Sequence, residues 1–176
     1  MKKEIAVSNG PRQLPIRPIY LVTAEYEAKR SIITVGMFAY FSGNPTLVGV
    51  GIAPSRYSFG LIHKSSEFVV NIVDEKLSNA VRLCGENSGA DVGKFELAHL
   101  TPKKGVKVNA PLIEESPLSI ECKVVKEVET GDHVWFIGEV LAISVREGYD
   151  WKEGLLFKWV GERGFYHKVG KEIRKY

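Results

Sequence analysis

Gly49-Val50-Gly51-Ile52-Ala53-Pro54-Ser55-Arg56-Tyr57-Ser58 reads as a glycine-studded apolar strand that runs through a proline into the polar opening of a short helix. The first turn of a helix leaves backbone N–H groups unpaired and carries the positive end of the helix dipole, so it suits an anion. An arginine fork and hydroxyl donors in that turn match a phosphate group. Gly49 and Gly51 leave room for something flat to approach the strand backbone. A phosphate and a flat ring together describe a nucleotide-like ligand. The plainer alternative is that Ser55 caps the helix and Arg56 is a solvated surface charge.

Outward from this stretch the chain is richer in strands than in helices. Residues 19–24, 32–38, 46–52 and 68–73 are apolar and β-branched, and Ser42-Gly43-Asn44-Pro45 is strong turn chemistry between the second and third. A helix is expected from Ser55, as its N-cap, to about Lys64. A second is expected over 74–84, with Leu77, Ala80, Val81 and Cys84 on one face, Asp74 as cap and Gly85 as stop. Residues 86–101 read as an irregular loop with partial helix.

Over 118–128, Ile120, Cys122, Val124 and Val128 alternate with Glu121, Lys123 and Glu127, the pattern of a half-buried antiparallel strand with its charges in water. Residues 134–145 form a long strand that is apolar on both faces, hence central or at an interface. Residues 155–160 and 164–169 read as a terminal hairpin around 161–163. Closely spaced strands with turn signals predict an all-β barrel or sandwich, the helices being insertions.

The 176 residues fit one domain, with a core over about 15–170. A net charge of +3, with the clearest basic groups at Lys103-Lys104 and 171–176 and no patch on a strand face, speaks against a nucleic-acid-binding barrel. Two cysteines, Cys84 and Cys122, provide no disulfide framework and no zinc spacing, and His63, His99 and His167 show no ligand spacing, so no metal is assigned. No run reaches the roughly 18 apolar residues of a membrane span, and no signal-type segment is read at the N-terminus. A cytoplasmic protein is the expectation.

The ordered set Ser31-Ile32-Ile33-Thr34-Val35-Gly36, Phe41-Ser42, Asn44-Pro45-Thr46-Leu47, Ala53-Pro54-Ser55-Arg56-Tyr57-Ser58, Glu67-Phe68-Val69-Val70-Asn71, Cys84-Gly85, Ser88-Gly89, Lys94-Phe95 and Gly131-Asp132-His133 resembles the flavin reductase-like family of split β-barrels, which includes flavoredoxin and NAD(P)H-dependent ferric reductases. The resemblance implies a mainly β, antiparallel Greek-key split β-barrel with a few flanking helices. It implies a homodimer with FMN near the dimer interface, and hydride or electron transfer between a nicotinamide nucleotide, the flavin and a further acceptor.

Residue by residue, the resemblance assigns Arg56 and Ser58 to the FMN phosphate, with Ala53, Ser55 and Tyr57 in the same run. It lays Thr34, Val35, Gly36 and Met37 against the isoalloxazine ring and adds Ser42. Ser31 stands where an Asn is more usual. Ser88, Gly89 and Lys94 belong to a loop over the flavin site, Cys84 lies close to the flavin, and His133 orients the nicotinamide or supplies a proton. Plainer readings stand beside these: Met37 and Cys84 as core, Lys94 as solvated, His133 as a strand-start residue bonded to its turn. No dinucleotide-binding glycine fingerprint follows a strand, so NAD(P)H has no Rossmann site. FAD is compatible with the same phosphate turn. A flavoredoxin-like carrier without nicotinamide turnover is the second functional reading, and a nucleic-acid-binding barrel a remote third.

Overall fold

The computed structural model describes residues 2, 4–7, 14–160 and 163–170, and the side chains of all of these except 159, 160 and 163. Residues 161 and 162 of the expected terminal turn, and the basic tail 171–176, lie outside them.

The fold is a mainly β split barrel with few helices. Its main sheet has seven strands: β2 (Tyr20–Tyr26), β3 (Lys29–Val35), β4 (Phe38–Gly43), β5 (Thr46–Ile52), β6 (Glu67–Ile72), β9 (Leu118–Thr130) and β10 (His133–Val145). They pair antiparallel in the order β3-β2-β6-β9-β10-β5-β4. Chain neighbours β3 and β4 therefore form opposite edges, and only Gly36 and Met37 lie between them. Laid flat, seven strands at about 4.8 Å spacing would put those edges about 29 Å apart. Three Cα–Cα steps span at most about 11 Å. The sheet must curl until its edges meet.

The inside of the curl is filled from every side. Val22 and Ala24 of β2, Val50 and Ile52 of β5, Phe68 and Val70 of β6, Cys122 of β9 and Phe136 of β10 form one buried cluster. Helix α1 (Tyr57–Ser65) adds Leu61 and Ile62 to it. Its Phe59 ring lies 5.2 Å from that of Phe136. On the outer face, Leu21 and Ile32 meet Ala80, Val81 and Cys84 of helix α2 (Ser78–Glu86) and Phe95 of helix α3 (Lys94–Leu97). Two short ladders complete the chain: β7 (Pro102–Lys103) with β8 (Leu112–Ile113), and β1 (Arg17–Pro18) with β11 (Leu156–Val160) and β12 (Arg163–His167).

Several expectations change. The strand expected over 32–38 ends at Val35, and β4 replaces a plain turn. As an edge strand, β4 leaves Tyr40 66% and Phe41 48% exposed across a register shift, so no burial period marks it in the sequence. Ser55 does not cap α1; Arg56 occupies the N-cap position, with no side-chain cap bond. Asp74 does cap, accepting the N–H groups of Lys76 and Leu77 in a 3-10 turn that leads into α2. Helix α2 passes Gly85 and stops at Asn87, whose backbone N–H and side-chain amide both donate to the Leu83 carbonyl.

Glu121, expected in water, is fully buried. Its carboxylate accepts the backbone N–H groups of Val106 (3.0 Å), Lys107 (2.7 Å) and Val108 (3.1 Å), fastening that loop to β9. Val108 is buried, and its N–H left without an acceptor costs about 1–3 kcal/mol, whereas Val106 and Lys107 are exposed and can turn to water. Glu121→Ala should therefore destabilise the fold by about 1–3 kcal/mol, seen as a lower urea midpoint with an unchanged slope.

Candidate functional site

The end of β5 delivers Arg56. Ala53 and Pro54 turn the chain, the Arg56 N–H donates to the Ala53 carbonyl (3.0 Å), and α1 begins. No side chain caps its first turn and no acidic residue stands there. Ser58 is buried in that turn. Facing it, the start of α3 delivers Lys94, 6% exposed, whose Nζ donates to the Cys84 carbonyl (2.7 Å). Phe95 roots this short helix in the outer core.

These groups line a cavity of about 250 Å³. Of the expected residues, Thr34, Ser55, Arg56, Tyr57, Ser58, Cys84, Ser88, Gly89 and Lys94 are on its walls. Thr34 is fixed by donating its hydroxyl to the Val81 carbonyl (2.6 Å). Ile33 and Gly85, quoted above only within their motifs, also line it, and so do Glu86 and Asn87, which were not singled out in the sequence. Asn87 could have been found by its place at the end of α2. Glu86 is turned to Arg82 (2.6 Å), and among the described residues neither Arg56 nor Lys94 makes an ion pair. The cavity therefore holds two uncompensated cations beside an open helix turn, a donor set that fits a phosphate. Ser31 lies beneath the rim: its buried hydroxyl has no partner among the described residues, and a side-chain carbon at Gly89 would stand 2.1 Å from it. Only glycine lets the 88–89 turn settle so close.

Burial pushes the Lys94 ammonium below its ordinary value of 10.5; Cys84 opposes this and Arg56 adds to it. Burial pushes the Cys84 thiol up to about 11, against the pull of Lys94. Near neutrality Cys84 is thus a protonated thiol on the buried face of α2, and the reactive, catalytic reading of Cys84 is corrected on that ground. Its carbonyl, which seats Lys94, is the group that serves the cavity.

Val35, Gly36, Met37, Ser42, Ala53 and His133 do not line the cavity. Val35 belongs to the barrel interior. Met37 packs on Gly51, and the Phe41 ring lies on Gly49, so the protein's own side chains fill the space that those glycines open. The reading of a flat ligand over that strand is corrected accordingly. Ser42 is in the edge strand β4, and Ala53 is in the turn before α1. His133 sits one step beyond the Val134–Ile52 pair, at the same end of the sheet as Ala53. Its Nδ1 is hydrogen-bonded to Asp132 Oδ1 (2.7 Å), which holds the Asp132 carboxyl below the usual range. Among the described residues no group of His, Cys, Asp and Glu is placed to hold a metal ion, and no helix is long and apolar enough to cross a membrane.

The lowered Lys94 value has a measurable sign. As pH rises toward 10.5, folded Lys94 releases its proton before the unfolded chain does. The unfolded state then binds more protons, so stability rises with pH. Denaturant midpoints taken from neutral pH toward 10.5 should show wild type gaining on Lys94→Met. A gap independent of pH contradicts the burial of a charged amine.

Comparison with known proteins places this geometry. Residues 14–161 match the Flavin reductase like domain. An uncharacterized protein of Archaeoglobus fulgidus is 38% identical over 152 residues, 86% of this chain and 85% of that one. A flavin reductase of Pseudomonas putida is 29% identical over 154 residues, 87% of this chain and 85% of that one. The crystal structure of flavoredoxin from Methanosarcina acetivorans superposes with a TM-score of 0.87 at 26% identity, covering 99% of this chain and 95% of that one. By its matched domain, its archaeal relative and its barrel, the chain belongs to the flavin reductase-like family.

Proposed function

We propose that this protein binds FMN and passes electrons from NAD(P)H through it to an acceptor such as ferric iron or free flavin. The observation that carries the reading is the pair of unpaired cations, Arg56 and Lys94, on one small cavity beside the open first turn of α1. Arg56, Ser58 and the first-turn N–H groups hold the phosphate, and Lys94, braced by the Cys84 carbonyl, adds the second charge. Thr34, Ser88 and Gly89 border the remaining space. When bound, the flavin supplies the redox chemistry, accepting a hydride and releasing electrons. The chain's own part is to bind, orient and exclude water. His133, braced by Asp132 at the same end of the sheet, is proposed to hold a proton or orient the nicotinamide. The names flavin reductase and flavoredoxin among the similar proteins support this class of chemistry.

A second reading, an FMN electron carrier without nicotinamide turnover, is favoured by the likeness to flavoredoxin and by the position of His133 off the cavity. In either case we propose a homodimer. The exposed apolar side chains Tyr40 and Phe41 of β4 and Leu141, Ile143 and Val145 of β10 support it.

The purified protein should show, or take up, a flavin absorption spectrum. Anaerobic NADH or NADPH should bleach it, and which of the two acts faster identifies the donor. A flavin that stays oxidised selects the carrier. Arg56→Ala should weaken FMN binding by about 10–100-fold, the worth of one or two charge-assisted hydrogen bonds. Equal affinity in that variant sinks the phosphate assignment.

A further inference from the structure

One more cation, on β1, lies against the chain just past β3, the strand that brings Thr34 to the cavity. The Arg17 side chain lies over the backbone of Gly36: a side-chain carbon added there would stand 3.2 Å from Arg17 Nε. Arg17 is held in place through its backbone. It pairs with Phe157 in the β1–β11 ladder. Two residues on, the Ile19 N–H donates to the Leu155 carbonyl (3.2 Å), and the Leu155 N–H to the Val73 carbonyl (2.8 Å). The Arg17 side chain is half-buried, and among the described residues no carboxylate pairs with it. A guanidinium stays charged throughout the working pH range, so a fixed positive charge stands at the seam between β3 and β4.

Gly36 is two residues from Thr34, at most about 7 Å along the chain, and Thr34 lines the cavity. Arg56 and Lys94 stand on the cavity, and Arg17 lies outside its lining, against Gly36 just past Thr34. We propose that Arg17 is a second anion contact for the bound flavin nucleotide, and that it holds the negative charge which the ring acquires on reduction. This rests on the FMN reading above. The ribityl chain of FMN separates phosphate from ring, so one ligand presents an anion at each end once reduced. A ring that accepts a hydride takes up two electrons and one proton and gains one net negative charge. A fixed cation beside it favours that form over the oxidised one. Arg17 acts here as a positioning and potential-setting residue.

The test uses the full chain, wild type, Arg17→Gln and Arg17→Lys, loaded with FMN. FMN affinity is read by fluorescence titration, and the midpoint potential by anaerobic equilibration with a reference dye. Both substitutions leave the backbone pairing of β1 intact, and thermal unfolding checks this. Arg17→Gln should bind reduced FMN about tenfold less tightly relative to oxidised FMN, lowering the two-electron midpoint by about 30 mV. Arg17→Lys should keep most of the wild-type potential. An unchanged potential in Arg17→Gln with FMN bound overturns the proposal and leaves the FMN reading standing. So does an equal shift in Arg17→Lys, since charge would not be the cause. A changed NADPH-to-NADH preference at constant potential also overturns it, assigning Arg17 to the nicotinamide nucleotide instead. A wild-type chain that binds no FMN removes the flavin reading itself, and this proposal with it.

Discussion

The two-residue link between β3 and β4 constrains everything else in this molecule. Because Gly36 and Met37 join strands at opposite edges of a seven-stranded sheet, the sheet cannot lie flat. Curling creates an interior that Phe68, Phe136 and the buried face of α1 must fill. That requirement brings α1 across the barrel directly after β5, and so decides where Arg56 stands. Curling also turns the outer face of β2 and β3 into a convex apolar surface, which α2 and α3 cover. Covering it decides where Cys84 and Lys94 stand. The cavity forms between the element that fills the barrel and the elements that wrap it.

The charges at that cavity run against what stability alone would select. Lys94 is buried without a carboxylate, near Arg56, and both burial and that neighbour disfavour its charged form. One backbone carbonyl offsets only part of this. The first turn of α1 lacks the acidic residue that would complement its dipole. Elsewhere the chain satisfies its buried polar groups closely. Glu121 takes three N–H donors, and the Asn71 side chain donates to the Leu21 carbonyl and accepts from the Ile113 N–H and the Ser119 hydroxyl. Among the described residues the buried Ser31 hydroxyl has no partner and buried Lys94 has no carboxylate, both near the exposed Arg56, and such local conflict is where ligand sites are found.

Much of this was legible in the residues. The proline-to-helix turn at 54–58 stood out because an arginine and hydroxyls are adjacent at a helix start, and the residues alone left an anion site and a solvated charge equally open. The bounds of β5 were readable because its apolar run is buried on both sides. Lys94 was reachable only through the family's motif, since nothing local tells a buried lysine from a solvated one. Glu121 was misread because alternation reports the face of a strand and not what covers that face; a loop 13–15 residues earlier turns an outward position into a buried one. The glycines of β5 were misread for a related reason. A missing side chain shows that something approaches, and here it is Phe41 and Met37, brought over by a hairpin that no periodicity reveals.

The pairing of Ile52 with Val134 has a consequence in time as well as in space. These residues are 134 − 52 = 82 positions apart, and the cavity-lining residues from Ser55 to Lys94 all lie between them. The hairpins β2–β3 and β4–β5 close short loops and can form as the chain leaves the ribosome. The strand that leads to Arg56, β5, gains its second neighbour only after β10 has been made, at the entropic cost of closing the long intervening loop. Until then the apolar inner faces of β5 and β6 stay open to solvent. In a chain stalled before residue 133 that apolar surface is uncovered and β5 lacks one of its two neighbours, so the final setting of the turn that leads into α1 waits on the last long strand.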